Sequence, residues 1–412
     1  MSIVVIFVSL IYLYSLVSRR LEQTVITAPI LFTVAGMLTY LSVSTRQSLR
    51  WLPNGENGAG YFLHVAEVGL VLLLFVEASR TDWRVLNSIR NLPARLLSAG
   101  MLLTILLGGL AAVAIFHQLT VWEAGILAAI LAPTDAGLGQ IIVNSERAPL
   151  RIRQALNVEA GLNDGLSVPF LLFFFALAAA GEEGTRASLT EFIVEQLGYG
   201  MLVGGGIGLV GGWLIGLTWR SKWMAESSQQ LGVVALPLLC LLFSAAIGAS
   251  MFIAAFVAGL VFQVGLKGTA RHEVEFTDEW GQLINLAVFF LFGMVVASDW
   301  AHFTWTHWLY ACLSLTVVRI LPVAVSLVGT RLHPATVLFM GWFGPRGLAS
   351  IVLGLVYLEM EPHLPGEETI RLTVIATVCL SIFAHGLSAV PGLNLYARKM
   401  KQLPAAAPEH QK

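Results

Sequence analysis

Long apolar segments dominate this sequence of 412 residues and constrain its fold more strongly than any motif does. A helix that crosses a lipid bilayer needs about 20 mostly apolar residues. Such segments can be marked thirteen times, at residues 2–18, 25–43, 60–79, 93–116, 121–143, 155–180, 192–218, 229–247, 250–266, 281–298, 306–329, 335–358 and 369–395. Backbone groups in lipid must be paired internally, and these lengths fit helices rather than tilted strands. The sequence therefore predicts an all-α polytopic membrane protein with about 13 transmembrane helices.

Composition and loop charges support this interpretation and predict an orientation. Hydrophobic residues make up 57% of the chain and charged residues 12%, with a mean hydropathy of +0.78. Most of the 24 Lys and Arg residues lie in alternate loops, whereas the opposite loops hold only Arg46, Arg50, Arg186 and Arg371. Because cytoplasmic loops are enriched in Lys and Arg, we expect an external N-terminus and a cytoplasmic C-terminus. The expected location is a bacterial-type inner (plasma) membrane. A net charge of −1 without a basic arm gives no reason to expect nucleic acid as a partner.

The fifth and twelfth segments each carry Pro and Gly near the middle. One reads LAPTDAGLG around Pro133 and the other WFGPRGLAS around Gly344. Pro removes a backbone donor and Gly weakens a helix, so both helices are predicted to break there. The loop charges orient these two segments oppositely. Paired interruptions in oppositely oriented halves are typical of inverted-repeat transporters with a site near the membrane midplane.

Ionisable residues within the apolar segments are the candidates for chemistry. A charged side chain at bilayer depth costs roughly 2.5–3.5 kcal/mol even on lenient scales, so such residues are functional candidates by default. They include Asp135 in the fifth segment, Glu159 and Asp164 in the sixth, Arg319 in the eleventh and Arg346 in the twelfth. Glu67 and Glu77 lie in the third segment.

Three motifs carry a resemblance to a known family. The TDA at Thr134–Ala136, the VEAGLND that ends at Asp164, and the GWFGPRGLAS around Arg346 resemble the NhaP-type sodium/proton antiporters of the monovalent cation/proton antiporter family. The resemblance implies an NhaA-like antiporter fold with inverted repeats and two discontinuous crossing helices. It also implies a homodimer and a division into dimerisation regions (1–92 and 229–298), core transport regions (93–181 and 306–395), a linker helix (192–218) and a cytoplasmic tail (400–412).

The resemblance implies exchange of a monovalent cation for a proton by alternating access. Asp164 matches the essential aspartate of the family. Burial disfavours the charged form of a carboxylate and a nearby cation favours it, so a proton and sodium compete for the same oxygen atoms. Hard cations prefer oxygen ligands, which Asp135, Thr134 and carbonyl groups freed by the broken helix can supply. Transported Na⁺ or Li⁺ and H⁺ are therefore expected, with no resident cofactor and no enzymatic activity.

Neighbouring residues are expected to support this site. Asn163 cannot ionise, and an Asn-Asp pair resembles the electroneutral class, which implies one proton for one cation. Glu159 lies four residues before Asn163 and so shares its helical face. By resemblance, Arg319 pairs with Glu159, while Arg346 can offset carboxylate or helix-end charge at the second break.

Two departures from the common family pattern leave the cation open. Ala136 stands where many members have Pro, and Ala160 stands where many have Ser. Loss of the Ser hydroxyl removes one possible ligand, so potassium/proton exchange is an alternative. A cation channel and an intramembrane aspartyl protease are alternatives from other classes, because broken helices also line filters and two aspartates can share a proton. The protease would leave Arg319 and Arg346 without a role.

Several residues also have simpler structural explanations. Asp135 and Glu159 could be polar links between helices. His64 and Glu67, three residues apart, favour a helix contact over a metal site. The three cysteines lie in apolar runs and are predicted to be buried core residues. The glycines of the seventh segment predict close helix packing rather than a nucleotide site.

Overall fold

The computed structural model describes residues 3–21, 24–42, 58–79, 91–143, 145–180, 194–266, 275–359, 364–404 and 407–410. Throughout these residues the regular structure is helical. The helices are α1 (Ile3–Leu21), α2 (Ala28–Ser42), α3 (Gly58–Ser79), α4 (Asn91–Ile115), α5 (Val121–Ile130), α6 (Ala136–Val143), α7 (Leu150–Ala180), α8 (Val194–Arg220), α9 (Glu226–Ile247), α10 (Met251–Leu266), α11 (Glu275–Asp299), α12 (Trp305–Leu315), α13 (Val317–Ser326), α14 (Pro334–Trp342), α15 (Leu348–Glu359) and α16 (Glu367–Met400).

Several of these helices are long and apolar enough to cross a membrane. Within the described residues there are eight such helices when α12 and α13 are taken as one. Shorter apolar helices include α2, α5, α10 and α15. The predicted all-α class is therefore confirmed. The number of crossings, predicted as about 13, stays a prediction.

The chain folds into two compact units. The first comprises Met1–Leu63, Ile89–Asn163 and Leu286–Lys412, and the second comprises His64–Ser88 and Asp164–Asn285. The boundary passes through α7, between Asn163 and Asp164. The division into core and dimerisation regions stays a prediction.

In the second unit, α8 packs closely on α10 through glycines spaced four residues apart. A Cβ atom added at Gly204, Gly208 or Gly212 would collide with the backbone carbonyl oxygen of Ala254, Ala258 or Phe262, respectively. Small residues at this spacing let two helix backbones approach, and this is a common basis of helix association in membranes. The close packing predicted for the seventh segment is confirmed for this face. Gly205 and Gly206 face open space.

In the first unit, an apolar core holds α14 against α16. Phe339 and Tyr396 stack with ring centroids 4.0 Å apart, and Met340 and Leu393 are buried beside them. The polar end of this core contains Glu409, whose carboxylate accepts hydrogen bonds from the Thr336 hydroxyl and the His333 amide. Part of the predicted tail is thus packed against the start of α14 rather than fully solvated.

Both interruptions predicted from Pro and Gly are present. Helix α5 ends at Ile130 and α6 begins at Ala136, while α14 ends at Trp342 and α15 begins at Leu348. A third interruption, at Thr316 between α12 and α13, was not predicted. The Thr316 hydroxyl donates to the Cys312 carbonyl, and the Thr316 amide bonds to Leu313 instead. Such side-chain competition for a helical carbonyl bends helices.

Of the cysteines predicted to be buried, Cys240 and Cys379 are buried, but Cys312 is exposed. The prediction was wrong for Cys312 because the outer face of a membrane helix is as apolar as its inner face. Hydrophobicity alone therefore does not distinguish the two faces. The expected contact between His64 and Glu67 is present, with Nδ1 and Oε2 3.1 Å apart.

Replacement of Gly208 by Val tests the packing of α8 on α10. We expect Gly208→Val to lower the thermal stability of the purified protein, because overpacking at a close backbone contact costs roughly 1–3 kcal/mol. Gly206→Val is the matched control, since it places the same side chain on the same helix in open space. Equal unfolding temperatures for the two variants would contradict the packing argument.

Candidate functional site

Asp135 links the two helix breaks of the first unit. Its Oδ1 accepts a hydrogen bond from the amide of Leu138 at 2.9 Å, and its Oδ2 accepts one from the amide of Leu348 at 2.6 Å. Its own amide donates to the Pro345 carbonyl at 2.8 Å. Since α6 and α15 both begin here, one buried carboxylate satisfies donors at two positively polarised N-termini.

Glycines in the second break allow two charged side chains to approach its backbone. A Cβ atom at Gly347 would collide with the Asp135 carboxylate, and one at Gly344 would collide with the Arg319 guanidinium. Any larger residue would force these groups apart. The sequence GPRG therefore provides the close contacts as well as the helix break.

Arg346 lies between the breaks and is fully buried. Its Nη1 donates to the carbonyl oxygens of Ala132 and Pro133, each at 3.1 Å. These carbonyls follow the end of α5, where the helix leaves acceptors unpaired and carries partial negative charge. Arg346 thus contacts carbonyls at the end of α5, and its role in offsetting helix-end charge stays a prediction.

Glu159 and Arg319 form the expected ion pair. The Oε1 and Nη1 atoms are 2.7 Å apart and both side chains are buried. The pair joins α7 to α13. The Nε and Nη2 atoms of Arg319 make no hydrogen bond within the part of the chain that the structure describes.

Asn163 connects α7 to the first break. Its Nδ2 donates to the Thr134 hydroxyl at 2.7 Å, and both side chains are buried. Its Oδ1 is buried and has no hydrogen-bonding partner among the described residues. The Asn163 side chain is thus oriented by Thr134, and among the described residues its Oδ1 accepts no hydrogen bond.

A small cavity lies beside these groups. Its volume of about 20 Å³ is enough for about one water molecule. The lining includes the three predicted polar residues Thr134, Asp135 and Glu159, together with Ala160, Phe343 and Pro345. The cavity is therefore lined by both oxygen-bearing and apolar side chains.

Asp164 follows Asn163 in α7 and is the first residue of the second unit. Its exposed fraction is 3%, and its backbone carbonyl accepts a hydrogen bond from the Ser167 hydroxyl at 2.7 Å. A Cβ atom at the next position, Gly165, would collide with the Phe256 ring of α10. The helix is therefore packed tightly just after the carboxylate.

Sequence reasoning missed two polar residues of α16 that support the second break. The Arg346 amide donates to the Ser381 hydroxyl at 2.6 Å, and Ser381 Oγ lies 3.2 Å from His385 Nδ1. His385 Nε2 in turn donates to the Trp342 carbonyl at 2.8 Å, at the end of α14. The available signal was their spacing of four residues, which places two polar groups on one face of an apolar helix.

Known proteins are similar to this chain over most of its length. A family profile described as "Sodium/hydrogen exchanger, transmembrane" matches residues 3–395. The Na(+)/H(+) antiporter NhaG of Bacillus atrophaeus is 26% identical over 322 residues, which cover 75% of this chain and 59% of the relative. A Na(+)/H(+) antiporter of Schizosaccharomyces pombe is 27% identical over 314 residues, covering 67% of this chain and 65% of the relative. This chain thus spans less than two thirds of the length of these curated relatives.

One further relative and one solved structure cover nearly the whole chain. The K(+)/H(+) antiporter NhaP of Alkalimonas amylolytica is 24% identical over 405 residues, which cover 95% of this chain and 66% of the relative. The structure of the sodium proton antiporter MjNhaP1 from Methanocaldococcus jannaschii at pH 8 matches with a TM-score of 0.78 at 18% identity, covering 98% of this chain and 100% of that one. This likeness shows a shared fold.

A double-mutant cycle tests the ion pair of α7 and α13. We expect Arg319→Met alone to lower the free energy of unfolding by about 3–5 kcal/mol, because it leaves the Glu159 carboxylate buried without its partner. The double variant Glu159→Met/Arg319→Met should recover much of that loss, since an apolar pair can replace a buried ion pair. Thermal unfolding of the purified variants measures both. The single variant Glu159→Met completes the cycle. A loss in the double variant equal to the sum of the two single losses would show that the side chains do not interact.

Proposed function

Because the chain belongs to the sodium/hydrogen exchanger family, we propose that it is a secondary antiporter that exchanges sodium for protons by alternating access. The family consists of transporters, and the chain is an integral membrane protein. The NhaP-type resemblance of its motifs is confirmed by the family match and the related proteins. The identity of the cation as sodium, the orientation of the chain in the membrane and the type of host membrane are parts of the proposal.

The observation that carries the proposal is the meeting of two interrupted helices at one buried carboxylate. Asp135 pairs with amides of α6 and α15, and Arg346 pairs with carbonyls after α5. Irregular backbone at membrane depth is tolerated only where protein covers it or where it lines a cavity. Inverted-repeat transporters use such breaks to present helix-end charges to their ions.

Asp164 is the proposed exchanging group. The support is its burial, its position after Asn163 in α7 and its match to the essential aspartate of the motif. Either a proton or a cation neutralises the carboxylate, never both, and the core reorients only when it is neutral. Asp135 and Thr134 are proposed to add oxygen ligands. Asp135 can do so while holding both helix ends, because each carboxylate oxygen has a second lone pair.

Asn163 sets the proposed stoichiometry. It is an amide in the position where a second carboxylate would carry an additional proton. One proton exchanged for one monovalent cation moves no net charge. Asn163 instead holds Thr134 by its hydrogen bond, and Glu159 with Arg319 fixes the same stretch of α7.

Potassium is the second candidate cation. One relative is named as a K(+)/H(+) antiporter, and Ala160 lacks the hydroxyl that many family members offer. Lithium is a third possibility because it shares the charge and the oxygen preference of sodium. Separate additions of the three cations to vesicles that contain a pH-sensitive dye distinguish them.

We further propose that the protein works as a homodimer surrounded by lipid, in a bacterial-type inner (plasma) membrane. Residues 93–181 and 306–395 would form the moving core, residues 1–92 and 229–298 the dimerisation part, and 192–218 the linker. The N-terminus would lie outside and the 400–412 tail in the cytoplasm. The asymmetry of Lys and Arg among the loops supports this orientation.

Replacement of Asp164 by Asn tests the central assignment. We expect Asp164→Asn to abolish cation-driven proton release from proteoliposomes, because the amide has nearly the same shape but cannot ionise. The unfolding temperature should stay close to that of the unchanged protein. Glu195→Gln is the control, since it removes an exposed carboxylate elsewhere in the same unit. Exchange that persists in Asp164→Asn would remove this residue from the mechanism.

A membrane voltage tests the stoichiometry. We expect the initial exchange rate to remain nearly constant when a potential of about 100 mV is imposed, since that potential would add about 2.3 kcal/mol for each net charge moved. The measurement uses the internal pH signal at fixed sodium and proton gradients. A rate that follows the sign of the potential would contradict one-for-one exchange.

Cation flux also separates an exchanger from a channel. An antiporter needs a counter-ion on the opposite side, whereas a channel conducts without one. Sodium entry that requires an internal supply of protons supports the antiporter.

A further inference from the structure

A cationic cleft opens in the first unit and shares no lining residue with the small cavity beside the helix breaks. It lies between residues 146–153, which lead into α7, and residues 394–403 at the end of α16. Its volume is about 740 Å³. Pockets of about 300–1,000 Å³ are typical of small-molecule sites.

The charges that line the cleft are unbalanced. Four cationic side chains, Arg147, Arg153, Arg398 and Lys401, face one carboxylate, Glu146. None of the four forms an ion pair with a carboxylate among the residues that the structure describes. Such a concentration of one sign raises the local concentration of anions.

Neutral groups hold two of the arginines in place. Arg147 Nη1 donates to Asn394 Oδ1 at 2.8 Å, and Arg153 Nη1 donates to the Val143 carbonyl at 3.2 Å. The Nε of Arg153 is buried and has no hydrogen-bonding partner among the described residues. Both guanidinium groups therefore keep donors available while their orientation is fixed.

A structural explanation covers only part of this cluster. Cationic side chains in the last turn of a helix interact favourably with its negative end, which accounts for Arg398 and Lys399 of α16. It also accounts in part for Arg153, whose Nη1 donates to the carbonyl of Val143, the last residue of α6. It does not account for Arg147, which donates to the neutral side chain of Asn394. The convergence of four cationic side chains and one carboxylate on the same cleft favours an anion there.

We propose that this cleft binds a phosphate-bearing anion, either the head group of an anionic lipid or a soluble phosphate. Guanidinium groups match phosphate oxygens by paired hydrogen bonds, and Lys401 adds a point charge. Basic pockets at the cytoplasmic ends of membrane helices favour anionic head groups, and the loop charges assign this end to the cytoplasm. An occupant would tie the start of α7 to the end of α16. The proposal concerns binding and does not depend on exchange activity.

The test is a titration of the purified full chain in neutral detergent, followed by thermal unfolding. The probes are short-chain phosphatidylglycerol, short-chain phosphatidylcholine and sodium pyrophosphate, with sodium concentration and ionic strength held constant. A ligand that binds the folded state raises the unfolding temperature in proportion to its occupancy. Lys401→Gln is compared with Lys399→Gln, which makes the same change two residues away, outside the cleft.

We expect phosphatidylglycerol, pyrophosphate or both to raise the unfolding temperature, and phosphatidylcholine to have no effect. Lys401→Gln should need about tenfold more ligand for the same rise in unfolding temperature, because a charge-assisted hydrogen bond is lost. Lys399→Gln should respond like the unchanged protein. Arg398→Gln provides a second variant with the same expected loss. A response to phosphatidylglycerol alone identifies a lipid site, and a response to pyrophosphate identifies a site open to soluble phosphates.

The proposal is overturned if neither anion raises the unfolding temperature, or if phosphatidylcholine acts as strongly as phosphatidylglycerol. It is also overturned if Lys399→Gln and Lys401→Gln weaken the response equally, because the effect would then come from net charge rather than from the cleft.

Discussion

The Asp135 carboxylate is the interaction on which the rest of the site depends. Two helices begin beside it, and their first amides have no helical acceptors. Asp135 satisfies one amide of each helix, at Leu138 and Leu348. Arg346 donates hydrogen bonds to the unpaired carbonyls after α5. Three of the four helix ends at the breaks thus meet a side chain of complementary charge, and the Trp342 carbonyl at the fourth accepts a hydrogen bond from His385. These contacts make interrupted backbone tolerable inside an apolar protein.

Helix α7, which carries the proposed exchanging group Asp164, is held by two side-chain contacts to other parts of the first unit. Glu159 pairs with Arg319, and Asn163 donates to Thr134. Both contacts lie in the first unit, and Asp164 is the next residue of the helix. A carboxylate placed directly after two fixed points has a defined position along the helix. This matters for a group that must release a proton to bind an ion and release the ion to bind a proton.

The sequence predicted the parts of this design that follow local rules. Pro133 and Gly344 marked the two breaks because their effect on a helix does not depend on the surroundings. The partner of Glu159 came from family resemblance, since no spacing rule joins α7 to α13. His385 and the bend at Thr316 were missed, because each depends on which carbonyl a polar side chain reaches after folding. The double capping by Asp135 was missed for the same reason, as one of its amides lies far away in the sequence.

The account rests on competition between a proton and a cation for one buried carboxylate. The most direct measurement is calorimetric titration of the purified protein with sodium, at several pH values and in buffers of different ionisation enthalpy. On the acidic side, the apparent affinity should fall about tenfold for each pH unit, with one proton released for each sodium bound. A sodium affinity that is the same at every pH, with no proton released, would contradict the account.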